Sequence, residues 1–118
     1  MADIQQQILR GTLDLLVLKA VSGEPAHGYQ IARWIERATD RTLSIEDGSL
    51  YPALYRLEEQ RLIKPDWRLT EDRRRAKYYA LTASGRKRLR DEAASWTMYA
   101  RAIFNALAAP VPALANQA

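Results

Sequence analysis

The sequence predicts a mainly α-helical domain with one small β-hairpin, followed by a long C-terminal helix. Apolar residues recur at spacings of three and four in four segments, as they do on one face of a helix. Between the third and fourth segments, two short runs have extended patterning and are joined by a charged connector, which is typical of a hairpin. The length of 118 residues corresponds to one ordinary domain.

The first two helices are predicted over residues 3–22 and about 27–38. A Ser-Gly-Glu-Pro sequence separates them, because Gly suits a helix C-cap and Pro shortly afterwards cannot continue the helix. The apolar stripes are Ile4, Ile8, Leu15 and Leu18 in the first helix, and Ile31, Trp34, Ile35 and Ala38 in the second.

The third helix is predicted over about residues 48–61, after a polar loop at residues 39–48. Pro52 limits where this helix can start, since proline is tolerated in the first turn, where its missing N–H is not needed. The helix is therefore expected to begin close to Gly48 or Ser49. Its apolar stripe is Leu50, Leu54 and Leu57.

A hairpin is predicted next, with a first strand near residues 63–69 and a second at 76–82. The connector, residues 70–75, is polar and basic and lacks an Asn-Gly type of tight turn, so its loop is expected to exceed two residues. The residues expected on one side of the strands are Ile63, Trp67 and Leu69 in the first and Tyr79 and Leu81 in the second.

The final helix can be capped by Thr82 or Ser84 and carries apolar residues at intervals of 4, 3, 4, 3 and 4, a heptad-like pattern. We expect residues 1–82 to form one domain, 83–108 a C-terminal helix, and 109–118 a frayed tail. The stripe is Leu89, Ala93, Trp96, Ala100, Ile103 and Leu107, widened by Tyr99 and Phe104.

The positive charge is concentrated in one third of the chain. The net charge is only +4, but residues 56–90 hold 12 basic and 5 acidic side chains, a net +7, which leaves −3 elsewhere. This asymmetry indicates a polyanionic partner, nucleic acid before membrane.

The residue inventory argues against several classes of protein. With one His and no Cys, no disulfide framework, metal cluster or other cofactor site is expected. The acidic residues form no obvious catalytic pair, so an enzyme is not expected. No apolar run approaches the ~20 residues that span a bilayer, and no signal peptide is recognisable. The expected location is the cytoplasm.

The order of three helices, a hairpin and a long helix predicts a winged helix-turn-helix domain, although the loop between the second and third helices is longer than usual. In such domains the third helix enters the major groove of double-stranded DNA and the hairpin, or wing, follows the backbone. The candidate DNA-binding residues are His27 and Tyr29 at the start of the second helix, Ser49, Tyr51, Pro52, Tyr55 and Arg56 on the third, and Arg73, Arg74, Arg75 and Lys77 in the wing.

Each of these candidates has a structural alternative. Tyr51 or Tyr55 can pack against a neighbouring element, a lone His such as His27 is more often structural, and a short charge run is often only solvated. The cluster at residues 86–90 has no assigned role, since cations at a helix N-terminus are disfavoured by the dipole by ~0.3–1 kcal/mol.

In several short motifs the chain resembles the PadR family of bacterial transcriptional regulators. The resemblance covers roughly residues 8–90. The motifs that carry it are His27-Gly28-Tyr29, Gly48-Ser49-Leu50-Tyr51-Pro52-Ala53-Leu54 with Arg56-Leu57-Glu58, and Arg74-Arg75-Ala76-Lys77-Tyr78-Tyr79 with Leu81-Thr82 and Gly85.

The resemblance implies a homodimeric repressor that binds an inverted-repeat operator and is relieved by a small molecule or other signal. Unlike larger members, this chain has room for one helix after the wing. That helix is expected to dimerise, partly against the partner's N-terminal helix, with Ile4 and Ile8 included in the interface. Some short members line a flat hydrophobic pore with an aromatic residue, so Trp96 and Tyr99 are effector candidates, although packing in the dimer core is favoured for Trp96.

The main rival is a winged-helix protein-interaction module, whose basic wing would meet an acidic partner. Sequence preference distinguishes the two, because such a module should bind operon DNA no more tightly than random DNA.

Overall fold

The structure, a computed structural model, describes residues 12–113. Residues 12–20 are helical (α1), and a two-residue strand follows (β1, Ala26–His27). The other helices are α2 (Gly28–Ala38), α3 (Asp47–Glu59) and α4 (Ala83–Ala108). Strands β2 (Ile63–Leu69) and β3 (Arg75–Leu81) lie between α3 and α4. Within the described residues, no helix is both long enough and apolar enough to cross a membrane.

The hydrophobic core lies between α1, α2, α3 and the base of the hairpin. The predicted stripes of α2 and α3 supply its centre, which confirms the helical spacing in both segments. Of the predicted α2 stripe, Trp34 packs against the core but is only partly buried, and Ala38 at the end of the helix is exposed, so the stripe is wrong at that position. Ile4 and Ile8 lie outside the described residues. The buried members are Leu13, Val17, Leu18, Val21, Ile31, Ile35, Ile45, Leu50, Ala53, Leu54, Leu57, Leu62, Ile63, Tyr79 and Leu81.

The sheet has three antiparallel strands in the order β1-β3-β2. The β2–β3 hairpin pairs Ile63 with Leu81 at its base and Leu69 with Arg75 near its tip. The sequence analysis did not predict β1, which pairs His27 with Tyr78. A strand of two residues is too short for any periodicity to show, and it forms only because β3 offers its edge.

The third helix begins earlier than predicted. Its N-cap is Glu46, which makes no side-chain capping bond, and Asp47 is the first helical residue. Pro52 is therefore the sixth residue of α3, in the second turn, and cannot donate to the carbonyl of Gly48. Both residues are exposed, so water can reach that carbonyl, which explains why the proline is tolerated there.

The start of α4 is fixed to the turn between α3 and β2. The Oγ1 atom of Thr82 accepts a hydrogen bond from the Gly85 N–H at 3.0 Å, so Thr82 is the N-cap, one of the two residues predicted. Thr82 Oγ1 also lies 2.7 Å from the Arg61 carbonyl oxygen, to which it can donate. A Cβ atom at Gly85 would collide with the Leu62 carbonyl oxygen, so this close approach requires glycine.

Beyond its first turns, α4 leaves the domain. Its 26 residues span about 39 Å at 1.5 Å per residue, which gives the molecule an extended shape of 70 × 29 × 22 Å. Leu89 packs against the core, whereas Ile103, Phe104 and Leu107 are exposed. The second half of the predicted heptad seam is therefore uncovered within one chain.

Candidate nucleic-acid interface

Helix α3 has one buried and one exposed face. The side chains of Ser49, Tyr51, Pro52 and Tyr55 are all exposed, and Tyr55 is 67% accessible. The leucines on the other face hold the helix against the core. The exposed face therefore presents two phenols and a hydroxyl, groups that can meet base edges, sugars and phosphates.

Arg56, the fifth candidate on this helix, is held by the protein itself. Its Nη2 atom donates to Oδ1 of Asp14 on α1 at 2.8 Å, and both side chains are partly buried. The ion pair joins α3 to α1. The other N–H donors of the guanidinium are outside this contact, and the side chain is 40% exposed.

His27 caps α2. Its Nδ1 atom accepts a hydrogen bond from the Gln30 backbone N–H at 3.3 Å, and the Gln30 side-chain oxygen accepts one from the His27 N–H at 3.1 Å. This reciprocal capping box, together with an edge-on contact to Tyr78 at 5.0 Å between ring centroids, gives the histidine a structural role. With Nδ1 accepting, the neutral ring keeps its Nε2–H as a donor.

The start of α2 also seats one tyrosine of α3. A Cβ atom at Gly28 would lie 2.9 Å from the Tyr51 hydroxyl, so the absence of a side chain lets Tyr51 lie against the helix start. Tyr29, the next residue, is exposed, and its hydroxyl accepts a hydrogen bond from Arg33 at 3.0 Å. Both tyrosines therefore lie at the start of α2, one from each helix.

The wing tip is a three-residue loop. The Thr70 N–H donates to the Arg74 carbonyl at 2.8 Å and the Arg73 N–H to the Thr70 carbonyl at 2.9 Å, while Arg73 adopts a left-handed φ of 62°. This is a three-residue hairpin loop with an αL residue at its third position, longer than two residues as predicted. Glu71 and Asp72 occupy the other loop positions, so two acids accompany the cations of the tip.

The predicted cations of the wing have different surroundings. Arg73 and Arg74 are exposed and make no ion pair among the described residues. Arg75 lies at the start of β3 rather than in the connector, with its guanidinium 4.8 Å from the centre of the Trp67 ring. Lys77 is partly buried and bound to Glu58 of α3, with 2.9 Å between Nζ and Oε1.

Two apolar residues of β2 are exposed, Trp67 and Leu69, contrary to what their alternation with Ile63 suggests. All three share one face of the strand, but the hairpin runs past the end of the core, so only Ile63 is covered. An alternating pattern reports which face a residue lies on, not how far the core extends.

These elements enclose an open groove of about 960 Å³ between the start of α2, the N-terminal half of α3 and the wing. One wall is formed by the start of α2, with its backbone N–H groups. The other wall is formed by basic side chains of β3 and the tip. The lining of the groove includes His27, Gly28, Tyr29, Gln30, Tyr51, Thr70, Arg74, Arg75 and Lys77, together with the two acids of the tip, Glu71 and Asp72. A groove with these donors is suited to a phosphate backbone.

The basic cluster at the start of α4 is partly neutralised. Lys87 pairs with Asp91 at 3.0 Å and Arg88 with Glu92 at 3.4 Å, both one helical turn apart. Hydrogen bonding to Lys87 lowers the pKa of the exposed Asp91 carboxyl. Two of the four cations in this cluster therefore form ion pairs along the surface of α4, which support the helix.

The apolar seam of α4 borders a second groove of about 460 Å³. The two aromatic effector candidates, Trp96 and Tyr99, make an edge-to-face contact on α4, with 6.1 Å between ring centroids. Of the predicted interface residues, Ala93 and Ala100 are half-buried, and Trp96, Ile103 and Leu107 are exposed. The groove is lined by Leu15 and Leu16 of α1 and Ala93, Trp96, Thr97, Ala100, Arg101 and Phe104 of α4.

Sequence reasoning missed the partners that organise the interface. Asp14, Glu58 and Trp67 each hold a predicted DNA-binding cation, yet none of them carries a local signal for this role. Their partners lie on other elements, so only the folded arrangement brings them together.

Comparison with known proteins identifies the family. Residues 17–91 match the transcriptional regulator PadR-like family. The chain is 35% identical to the transcriptional regulator YqjI of Escherichia coli over 75 residues, which are 64% of this chain and 34% of that protein.

Solved structures agree with this match. A PadR-like transcriptional regulator from Bacillus cereus superposes with a TM-score of 0.77 at 27% identity, over 88% of this chain and 99% of that one. A PadR family transcriptional regulator from Eggerthella lenta gives a TM-score of 0.74 at 31% identity, over 92% and 93%. The winged-helix fold predicted from the element order is thereby confirmed. The chain belongs to the PadR-like family and is a DNA-binding regulator of transcription, not an enzyme.

Proposed function

We propose that this protein is a homodimeric repressor that binds an inverted-repeat operator and acts on DNA in the cytoplasm. In each subunit α3 enters the major groove while the wing binds flanking phosphates. The observation that carries the proposal is the groove between α2, α3 and the wing, where exposed phenols lie beside basic side chains.

We assign base reading to four side chains of α3, because all of them are exposed on the same helix. They are Ser49, Tyr51, Pro52 and Tyr55. Hydroxyl groups can donate to or accept from base edges, and the proline ring can contact a thymine methyl group. Because Arg56 is bound to Asp14, we assign it to anchoring this helix rather than to reading bases.

In the wing, Arg73 and Arg74 are the phosphate-binding cations, because both are exposed at the tip and lack an ion-pair partner among the described residues. Tyr29 and the Nε2 atom of His27 contact the backbone from the opposite side of the groove, and Arg75 contacts it from the wing side. These contacts supply affinity that does not depend on sequence.

A second copy of the chain is the proposed partner of α4. The apolar stripe of α4 extends past the end of the domain, from Trp96 to Ile103 and Leu107. Its last residue, Leu107, is 78% exposed. Burying such a stripe against an identical helix gives a two-fold dimer, whose recognition helices would meet half-sites about 34–36 Å apart.

The dimer interface also offers a place for an effector. Trp96 and Tyr99 lie beside the apolar groove between α1 and α4, so a planar aromatic molecule inserted between subunits could stack on them. The simpler role of Trp96 is dimer packing. Quenching of tryptophan fluorescence by planar aromatic compounds, with loss of operator binding, distinguishes an effector site from packing alone.

The test begins with selection of bound sequences from random DNA, followed by affinity measurement on the selected site and on a scrambled duplex. A repeated half-site with two-fold symmetry and preferential binding support the proposal. Equal binding to both duplexes would instead identify a protein-interaction module. If six to ten phosphates are contacted, log–log salt dependence should have a slope of roughly −5 to −9. Lower reporter expression in the presence of the protein tests repression.

A further inference from the structure

The ion pair that joins the wing to the recognition helix lies where the hairpin leaves the core. At the base of the hairpin, Ile63, Tyr79 and Leu81 are buried. One pleat beyond Tyr79, Lys77 points from the same face of β3 to α3 and binds Glu58 at 2.9 Å, with each side chain 34% exposed. Past this point most of both strands is exposed.

We propose that Glu58 is a positioning residue for DNA binding: by holding Lys77, it sets the wing at a fixed angle to α3. The phosphate-binding tip and the base-reading face of α3 then engage one half-site together. This inference rests on the proposed function, in which both elements contact the same DNA.

The position of Glu58 supports this role. An acidic side chain in the last turn of a helix is opposed to the helix dipole. Glu58 lies in that turn, and its contact with Lys77 offsets part of this cost. The hydrogen bond from Lys77 to Glu58 raises the pKa of the lysine, as expected for an ammonium group bound to a carboxylate.

The link continues from Lys77 towards the tip. Trp67 lies directly opposite Lys77 in the β2–β3 register, and its ring carries the Arg75 guanidinium. Lys77 and Trp67 are thus cross-strand neighbours on one face of the hairpin, and Arg75 lies two residues from the exposed tip cation Arg73. We expect that holding Lys77 against α3 also restricts this part of the wing.

The experiment compares Glu58→Ala with the matched control Glu59→Ala. Glu59 is the neighbouring carboxylate in the same helical turn, and it is exposed with no ion pair among the described residues. Both variants remove one negative charge, so electrostatics alone predicts equal or tighter binding for both. The positioning role predicts that only Glu58→Ala weakens operator binding, by about tenfold, the size expected for removing one charge-assisted hydrogen bond.

Two further readouts separate positioning from general stability. In Glu58→Ala, hydroxyl-radical protection of the flanking sugars should fade while protection of the sugars within the central half-site remains. The salt slope should fall by about one for each phosphate that the wing no longer neutralises. The exchanged pair Glu58→Lys with Lys77→Glu restores the ion pair at the same net charge, and should recover most of the operator affinity.

A measurement on the free protein needs no DNA. Heteronuclear NOE values for amides of residues 71–75 should drop in Glu58→Ala and stay unchanged in Glu59→Ala. If the two variants have equal operator affinity and equal NOE values, the positioning role is wrong, whereas the proposed function stands so long as the unmodified protein prefers its operator. If the unmodified protein shows no such preference, the proposed function and this inference both fail.

Discussion

The Nη2 atom of Arg56, on the proposed recognition helix, lies 2.8 Å from Oδ1 of Asp14 on α1. The sequence motifs place this arginine among the DNA-binding residues. In the folded chain it joins two helices through residues that lie 42 positions apart in the sequence. A cation on a recognition helix therefore does not by itself imply a base contact.

Asp14→Asn and Arg56→Gln should destabilise the fold to a similar and small extent. Partly exposed ion pairs contribute about 0–1 kcal/mol, so urea unfolding should show losses within this range for both variants. Operator sequence preference should stay the same in both. A change of preference in Arg56→Gln alone would mean that the arginine reads a base through the N–H donors that Asp14 does not bind.

Substitution of two glycines by alanine should have contrasting effects. Gly85→Ala meets the backbone carbonyl of Leu62, which cannot move freely, so we expect a loss of roughly 1–3 kcal/mol and a lower Tm. Gly28→Ala meets only the far end of the Tyr51 side chain, which can rotate away. That variant should keep most of its stability but bind operator DNA more weakly, because Tyr51 is displaced. Thermal melts and binding isotherms on the same samples check both outcomes.

Arg73→Gly and Arg74→Ala separate the backbone role of the wing tip from its charge. Arg73 has a φ of 62°, a conformation that costs a residue with a side chain about 1 kcal/mol, so glycine there should raise the free energy of unfolding. Each variant also removes one proposed phosphate contact and should reduce the salt slope by about one per site, on specific and random DNA alike. An unchanged slope in both variants would exclude the tip from the DNA contacts.

Ile103→Glu should dissociate the proposed dimer and weaken operator binding with it. Burying an unpaired carboxylate in an apolar seam is strongly unfavourable. Met98→Glu is the matched control, because Met98 is exposed on the opposite side of α4 from the seam. Sedimentation at micromolar concentration should give a monomer for the first variant and a dimer for the second. A monomer for the unmodified chain would contradict the dimer.

Much of the fold follows from local patterning. The leucines of α3, the isoleucines of α2 and the extended runs of the hairpin are read directly from their spacing, and Thr82 caps α4 as its residue type suggests. The predicted start of α3 is one to two residues late, because exposed backbone tolerates Pro52 in the second turn. The two residues of β1 carry no pattern of their own.

The candidate site was predicted only as a set of residues, since sequence shows which side chains are present but not which ones they bind. The sequence by itself determined the element order, the basic wing and the family motifs, because each arises from residues close together in the chain. Tertiary structure alone decided that Arg56 is held by Asp14, that Lys77 is held by Glu58, and that Trp67 carries Arg75. These contacts join different helices and strands, and their partners come within a few ångströms only when the core packs and the hairpin leaves it.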